Sequence, residues 1–427
     1  MTPGTPDGAG PVTPTSSLVE VDEHQERILR AAARLASEQV DLRSAAGRTL
    51  AADVVAARDV PTFDNSGMDG FAVRFADVRD AAPGRPVALD VVADVPAGSS
   101  LDPDLLPGQA VRIMTGAAIP TQADTVVPFE DTREGLDAGV ERITVLSAPS
   151  GHGRHVRGRG EDVATGDLLM HGGTRLGAMQ VAAALSAGHV TVEVSRTPRV
   201  AILSTGDELV TDGSDLAPGQ IPESNGPMLA ELARAADATV VELGSTGDDD
   251  AALLDLIREL STRADVIVLT GGVGTGAHDV VKSALGGAGL MDFLRVRMQP
   301  GKPQGFGVTA SGQLLFGLPG NPVSAAASWE VSVRPALLAL QGRSGPAHRT
   351  MRLQAATGWP SPPDRRQYVP VVLDTTDPAA WTVRPASAGH SGSHLVGSLA
   401  HADAWAVVPA DISRVEAGML VEVMLAP

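Results

Sequence analysis

Three glycine-bearing segments in the second half of the chain carry residue types that hold anions. Ser204-Thr205-Gly206-Asp207-Glu208 follows one apolar run. Thr270-Gly271-Gly272-Val273-Gly274-Thr275-Gly276 follows a second and continues to His278 and Asp279, and Leu318-Pro319-Gly320-Asn321-Pro322 follows a third. Glycine lets the main chain approach phosphate oxygens closely, and Ser and Thr hydroxyls add donors. A tight turn explains any one of these segments. Three together point to an enzyme site for a small phosphorylated anion, with Ser204, Thr205, Gly206, Thr270, Gly271, Gly272, Pro319 and Asn321 as its contacts. Known nucleotide loops do not fit: residues 271–276 have Walker spacing, but Ala277 stands where the P-loop lysine belongs, and the loop contains no GxGxxG.

Carboxylates gather at the same places: Asp207, Glu208, Asp248, Asp249, Asp250 and Asp279. A phosphoanhydride needs a hard divalent cation such as Mg2+ across its oxygens, and carboxylates are the ligands that cation prefers. Glu208, Asp248 and Asp279 are the candidate metal ligands. The plainer reading of the 248–250 run, and of Asp279, is helix capping. Positive charge concentrates in His152-Gly153-Arg154-His155-Val156-Arg157-Gly158-Arg159-Gly160-Glu161-Asp162. Arginines set between glycines in an acidic chain read as an anion clamp, because the guanidinium fork matches phosphate and oxoanion geometry. Arg157 and Arg159 are the candidates. A zinc site on His152 and His155 is the competing reading, with only two ligands in view. Lys302, inside Pro300-Gly301-Lys302-Pro303, and Lys282 are further candidate phosphate contacts, while His390 and His394 read as surface residues.

The elements that must position these groups follow from periodicity. Residues 200–203, 239–243, 266–269 and 314–318 are strand-type runs. Helical patterns alternate with them. One is capped by Asn225 with Met228, Leu229, Leu232 and Ala236 on a face, and one carries Leu253, Leu254, Ile257 and Leu260. One is opened by Asp279, and a long one follows the Pro-Gly-Asn-Pro turn and ends near Gly342. Such alternation implies parallel strands joined by right-handed crossovers, with helices on both faces. Ligands then sit beyond the carboxyl ends of the strands. Toward the N-terminus, Asp22 and Gln25 form the pattern of a capping box, ahead of Ile28, Leu29, Ala32 and Leu35 at helical spacing. Short β-branched runs between 50 and 149, such as 87–92 and 143–146, read as a β-rich region. A helix over 177–188 follows, ending on a glycine suited to a C-cap, and it is expected to pack with the first helix. Short strands return after residue 346, at 368–373, 405–408 and 420–424.

The expected architecture is therefore multidomain, α/β plus β. It comprises a disordered leader (1–17), a discontinuous helical linking domain (18–50 and 150–195), an inserted β-rich domain (51–149), a central parallel α/β domain (196–345) and a C-terminal β-domain (346–427). With 33 basic and 51 acidic side chains in 427 residues the formal net charge is −18, which disfavours nucleic-acid binding and favours a small substrate. The absence of cysteine excludes disulfides, thiolate zinc sites and Cys nucleophiles, and fits a reducing compartment. The leader lacks the apolar core of a signal peptide or membrane anchor, and no run of 18 apolar residues occurs. A cytoplasmic protein is expected.

Taken together these residues resemble the molybdopterin molybdenumtransferase family, the MoeA proteins and the gephyrin E domain. Six blocks carry the likeness, in order: Asp64-Asn65-Ser66-Gly67-Met68-Asp69-Gly70-Phe71-Ala72-Val73; Arg112-Ile113-Met114-Thr115-Gly116-Ala117 with Ala123-Asp124-Thr125-Val126-Val127-Pro128; Arg157 to Asp162; Ser204 to Leu209; Thr270 to Val273; and Leu318 to Ser324. The resemblance implies an elongated homodimer of four-part subunits, with a molybdopterin-binding α/β domain, a C-terminal β-barrel-like domain and an active site shared between subunits. It implies that adenylylated molybdopterin is bound, that its phosphoanhydride is cleaved with release of AMP, and that molybdate is ligated by the pterin dithiolene with Mg2+ assisting. It implies that Asp64, Thr115, Asp162, Glu208, Asp248 and Asp279 occupy the family's site positions. Contact with a molybdopterin adenylyltransferase or with apo-molybdoenzymes is implied as well. The chain departs from the family pattern at Gly274, Thr275, Ala277 and His278, at Val280 where a tyrosine is common, and at Gln299 where a lysine is frequent. Two other functions compete: molybdopterin adenylylation or nucleotide pyrophosphate cleavage by the α/β domain, and a non-catalytic scaffold.

Overall fold

The computed structural model describes residues 18–135, 139–247, 249–274, 279–345, 347–387 and 394–426. The expected disordered leader, the candidate ligand Asp248, and Thr275, Gly276, Ala277, His278 and His390 lie outside the described residues. The chain forms two compact units, one made of residues up to 38, 47–51 and those from 194 onward, the other of 39–46 with 52–193.

The first unit is built on a six-stranded sheet with spatial order Thr239–Thr246, Arg199–Thr205, Val266–Thr270, Leu314–Leu318, Pro303–Val308, Asp292–Arg295. Side chains along each strand alternate between faces. Val200, Ile202, Val266, Val268, Leu314 and Phe316 enter one core, and Ala201, Leu203, Ile267, Leu269 and Leu315 enter the other. Burial on both faces is why these strands read as continuous apolar runs. The first four strands are parallel, as expected. Two further strands, which the sequence pattern does not predict, complete the sheet, each pairing antiparallel with the strand before it in this order. Their pattern is hidden because Gly305 and Gly307 stand inside a strand. A Cβ on Gly307 would lie 1.9 Å from the Leu290 carbonyl oxygen, and one on Gly305 2.3 Å from Met291 Sδ, so close packing excludes the residues that advertise a strand.

The first helix, Val21–Ala31, buries Val21, His24 and Ile28, and Ile28 joins the core that holds Trp329 and Phe316. Its anticipated capping box does not form. Glu20 is the N-cap and makes no side-chain bond, Gln25 Nε2 donates to Val331 O at 2.8 Å, and Asp22 accepts from both guanidinium nitrogens of Arg366 at 2.7 and 3.0 Å. A bidentate guanidinium is a stronger partner for a carboxylate than a helix amide. The capping expected of Asn225 is likewise corrected: Asn225 is the first residue of Asn225–Ala235, and Ser224 is the N-cap. Asp249 does cap Asp250–Leu260, accepting from the N–H groups of Ala251 and Ala252 at 2.9 and 3.0 Å.

The helix after Leu314–Leu318 runs from Pro322 to Leu340 and contains one π-helical turn, Trp329–Val333. The C-terminal strands close into a five-stranded barrel, because Arg366–Asp374 pairs with both Thr382–Pro385 and Ala404–Val408 while Leu420–Leu425 and Thr350–Ala355 complete the ring. Val369, Val371, Val383, Ala406, Val421 and Val423 fill it.

The second unit holds a five-stranded sheet in the order Thr125–Pro128, Gly70–Val73, Gln109–Ile113, Val87–Val95, Arg142–Val145. Phe71, Leu89, Val127 and Ile143 pack on one face and Val95, Val111, Ile113 and Val126 on the other. Gly70 is obligatory here, since a Cβ would sit 2.1 Å from the Val127 carbonyl oxygen. The same unit contains the helix Ala178–Ser186, where the Gln180 side chain accepts from the Gly177 N–H at 3.1 Å.

Candidate active site

The carboxyl ends of Arg199–Thr205, Val266–Thr270 and Leu314–Leu318 open onto a cavity of about 470 Å³. All three glycine-bearing segments line it: Ser204, Thr205 and Glu208 from the first, Thr270 to Gly274 with Asp279 from the second, and Pro319 to Pro322 from the third. Gly206 works from behind the wall. Its φ is +141°, and a Cβ would meet the Glu208 carboxylate at 2.4 Å, so only glycine leaves that carboxylate in place. Gly271 has φ +96° and lies so close to Thr205 that a Cβ would come within 2.6 Å of its carbonyl oxygen.

One residue that sequence reasoning assigned only to a cap ties the segments together. Asn225, buried at the start of its helix, donates through Nδ2 to Thr270 Oγ1 at 2.9 Å and to Gly320 O at 2.7 Å, and the Thr270 hydroxyl donates to Pro319 O at 3.1 Å. Glu223 escaped the sequence analysis altogether. Its Oε1 accepts from the Ser204 hydroxyl at 2.7 Å and from the Gly226 N–H at 2.8 Å, and the residue lines the cavity. No motif flags it; the only signal was an acid just ahead of a helix start.

The lysines stand at the margin. Lys282 donates its backbone N–H to Gly272 O at 3.1 Å, and its Nζ reaches Gly274 O at 3.5 Å. Pro303, rather than Lys302, lines the cavity. Burial, then the nearby charges of Arg295 and Arg365, hold the Lys302 ammonium below its ordinary pKa. Three cations thus gather beside Pro303.

Glu208 and Asp279 present hard oxygen donors to one cavity. Among the described residues no group of three or more His, Cys, Asp or Glu is placed to hold a metal ion. That donor set suits magnesium, which keeps several waters and takes one or two carboxylates plus substrate phosphates, and it does not suit a zinc cage. His152 Nε2 lies 3.5 Å from Asp124 Oδ2, and among the described residues no third ligand joins them for a zinc site.

The remaining candidates belong to the second unit, where the sequence blocks meet through backbone hydrogen bonds. The Ser66 N–H donates to Ala117 O, Gly116 to Ser66 O, Ile119 to Asp64 O, Gly67 to His155 O, and Asp162 to Val60 O. Asp64, Thr115, Arg157, Arg159 and Asp162 are all exposed on this patch. Asp64 Oδ1 accepts the Arg159 backbone N–H at 2.6 Å. The Arg159 guanidinium pairs with Asp59, so half of the expected clamp already has an anion. The Thr115 N–H and hydroxyl both donate to Asp69 Oδ1 at 2.7 Å, and those two bonds hold the Asp69 carboxyl below its usual pKa.

Residues 19–188 match the MoeA N-terminal region (domain I and II), 201–339 a probable molybdopterin binding domain, and 352–426 the MoeA C-terminal region (domain IV). Molybdopterin molybdenumtransferase 2 of Mycobacterium tuberculosis is 40% identical over 411 residues, covering 94% of this chain and 98% of that one. Molybdopterin molybdenumtransferase of Nostoc sp. is 35% identical over 433 residues, covering 100% of this chain and 97% of that one. The crystal structure of a molybdopterin biosynthesis MoeA protein from Pyrococcus horikoshii superposes with a TM-score of 0.82 at 27% identity, over 96% of this chain and all of that one.

Proposed function

Because the chain belongs to the molybdopterin molybdenumtransferase family, we propose that its cavity binds adenylylated molybdopterin, cleaves the phosphoanhydride with release of AMP, and transfers molybdenum from molybdate to the pterin dithiolene. The observation that carries this reading is the convergence of three glycine-bearing segments on one cavity at the strand ends, with the carboxylates of Glu208 and Asp279 among those lining it. The backbone N–H of Gly272 and the start of the helix that follows Asn321 suit phosphate oxygens. A magnesium ion held by Glu208 and Asp279 would neutralise charge on the anhydride as it breaks. The cations Arg295, Lys302 and Arg365 beside Pro303 suit an oxoanion. Soft sulfur on the substrate, rather than on this cysteine-free chain, takes the molybdenum.

We further infer a homodimer in which the exposed Asp64, Thr115, Arg157, Arg159 and Asp162 patch completes the cavity of the partner subunit. Among the described residues their side chains make only the Asp64 bond to Arg159, the Arg159 pair with Asp59 and the Thr115 bond to Asp69. Magnesium dependence, residence in the cytoplasm, and hand-over to apo-molybdoenzymes belong to the same reading. So does the division into a linking domain, an inserted domain, the α/β domain and the barrel.

The test is turnover of adenylylated molybdopterin. AMP release that needs both molybdate and magnesium supports the proposal. Adenylylation of free molybdopterin by ATP supports an adenylyltransferase, and no turnover supports a scaffold.

A further inference from the structure

We propose that Glu223 reads the hydrogen-bond-donor end of the bound molecule and thereby fixes its direction in the cavity. This rests on the functional reading above and deepens it. Glu223 is anchored through a single oxygen: Oε1 accepts from Ser204 Oγ at 2.7 Å and from the Gly226 N–H at 2.8 Å. The other oxygen, Oε2, has no partner among the described residues, and Glu223 is part of the cavity wall. Glycine at 226 leaves the carboxylate room: a Cβ there would stand 3.1 Å from Oε2 and 3.3 Å from Ser204 Oγ and would ask these atoms to give by a few tenths of an ångström. A carboxylate held by one oxygen presents the second as an oriented acceptor.

Two consequences follow. The carboxylate satisfies an N–H in the first turn of Asn225–Ala235 and places a negative charge at that helix's positive end, so a phosphate is repelled from it. What Glu223 accepts must instead be a donor pair. Adenylylated molybdopterin has two such groups: the 2-amino group with N3–H on the pterin, and the ribose diol of the adenylyl moiety. Either one, seated on Oε2, directs the phosphates toward the glycine segments.

The experiment measures binding of 6-hydroxymethylpterin, AMP and 2′,3′-dideoxyadenosine monophosphate by calorimetry to wild type and Glu223→Gln. Glutamine retains an oxygen for Ser204 and Gly226 and puts an NH2 where Oε2 stood, so donor faces donor. The expected result is at least a tenfold loss of affinity for one probe. Loss for the pterin identifies the pterin edge; loss for AMP but not for its dideoxy analogue identifies the diol. If Glu223→Gln is unfolded by its thermal melt, Glu223→Asp, which draws the oxygen back by one methylene, is read in the same way. Unchanged affinity for both the pterin and AMP in a folded variant overturns the proposal alone. Wild type that binds neither probe overturns the functional reading and the proposal with it.

Discussion

The Asn225 amide nitrogen lies 2.9 Å from Thr270 Oγ1, and the same nitrogen lies 2.7 Å from Gly320 O. One side chain therefore joins a helix start to two strand-end segments, and the cavity's shape depends on it. Asn225→Ala removes both bonds, to Thr270 Oγ1 and to the Gly320 carbonyl, a loss of about 2 kcal/mol in stability by urea denaturation at about 1 kcal/mol per bond. Asn225→Asp is isosteric but cannot donate to Gly320 O, and it adds a negative charge facing that oxygen and the anionic substrate. It is expected to raise KM at least tenfold more than Asn225→Ala does. Equal KM values for the two variants would show that the amide holds only structure.

Glu330 is buried, with Oε2 3.8 Å from Arg334 Nε and 3.6 Å from His348 Nδ1, and the opposite His348 nitrogen donates to Glu330 O at 2.8 Å. Burial pushes its carboxyl up from 4.5 to about 7, with Arg334 drawing it partly back. A raised carboxyl favours the folded state fully below the unfolded value and loses that contribution as pH rises through the folded one, here between 4.5 and about 7. Glu330→Gln, neutral at every pH, is expected to be more stable than wild type at pH ~8, by on the order of 2 kcal/mol, and equal to it at pH ~4. Parallel stability curves for the two proteins would refute this.

Two carboxylates of the second unit act in the opposite sense. Thr165, through its N–H and hydroxyl, and then Arg159 hold Asp59 at about 2, while the Thr115 pair holds Asp69 below its ordinary 3.8. A depressed carboxyl contributes stability above the unfolded value, and that contribution is lost as pH falls through the folded one. The contribution should therefore vanish on acidification from 3.8 toward about 2. In NMR spectra the Thr165 amide should titrate near pH 2, and Asp59→Asn should abolish that titration without moving the Thr115 amide.

The parallel strands were legible because residues buried on both faces leave an unbroken apolar run, and the candidate site was legible where chemistry and turn residues coincide. Asn225 and Glu223 were not. Asn225 earns its position from partners 45 and 95 residues away, which no local pattern announces. Glu223 follows no motif, and its partners are Ser204, 19 residues back, and the backbone N–H of Gly226. The strand Pro303–Val308 was hidden for the converse reason, since its packing demands glycine where propensity asks for branched side chains. The Asp22 and Gln25 pattern was misleading because Arg366, brought in by the barrel, outcompetes the helix amides.

The central claim is that Asp279 and the strand-end cavity cleave an adenylylated pterin in step with molybdate. Single-turnover AMP release from adenylylated molybdopterin, with magnesium and with or without molybdate, tests it in wild type and Asp279→Ala. Release is expected only with molybdate, slowed at least a hundredfold in the variant, equivalent to about 2.7 kcal/mol of barrier. AMP release at one rate with and without molybdate, or an unaffected Asp279→Ala, would contradict it.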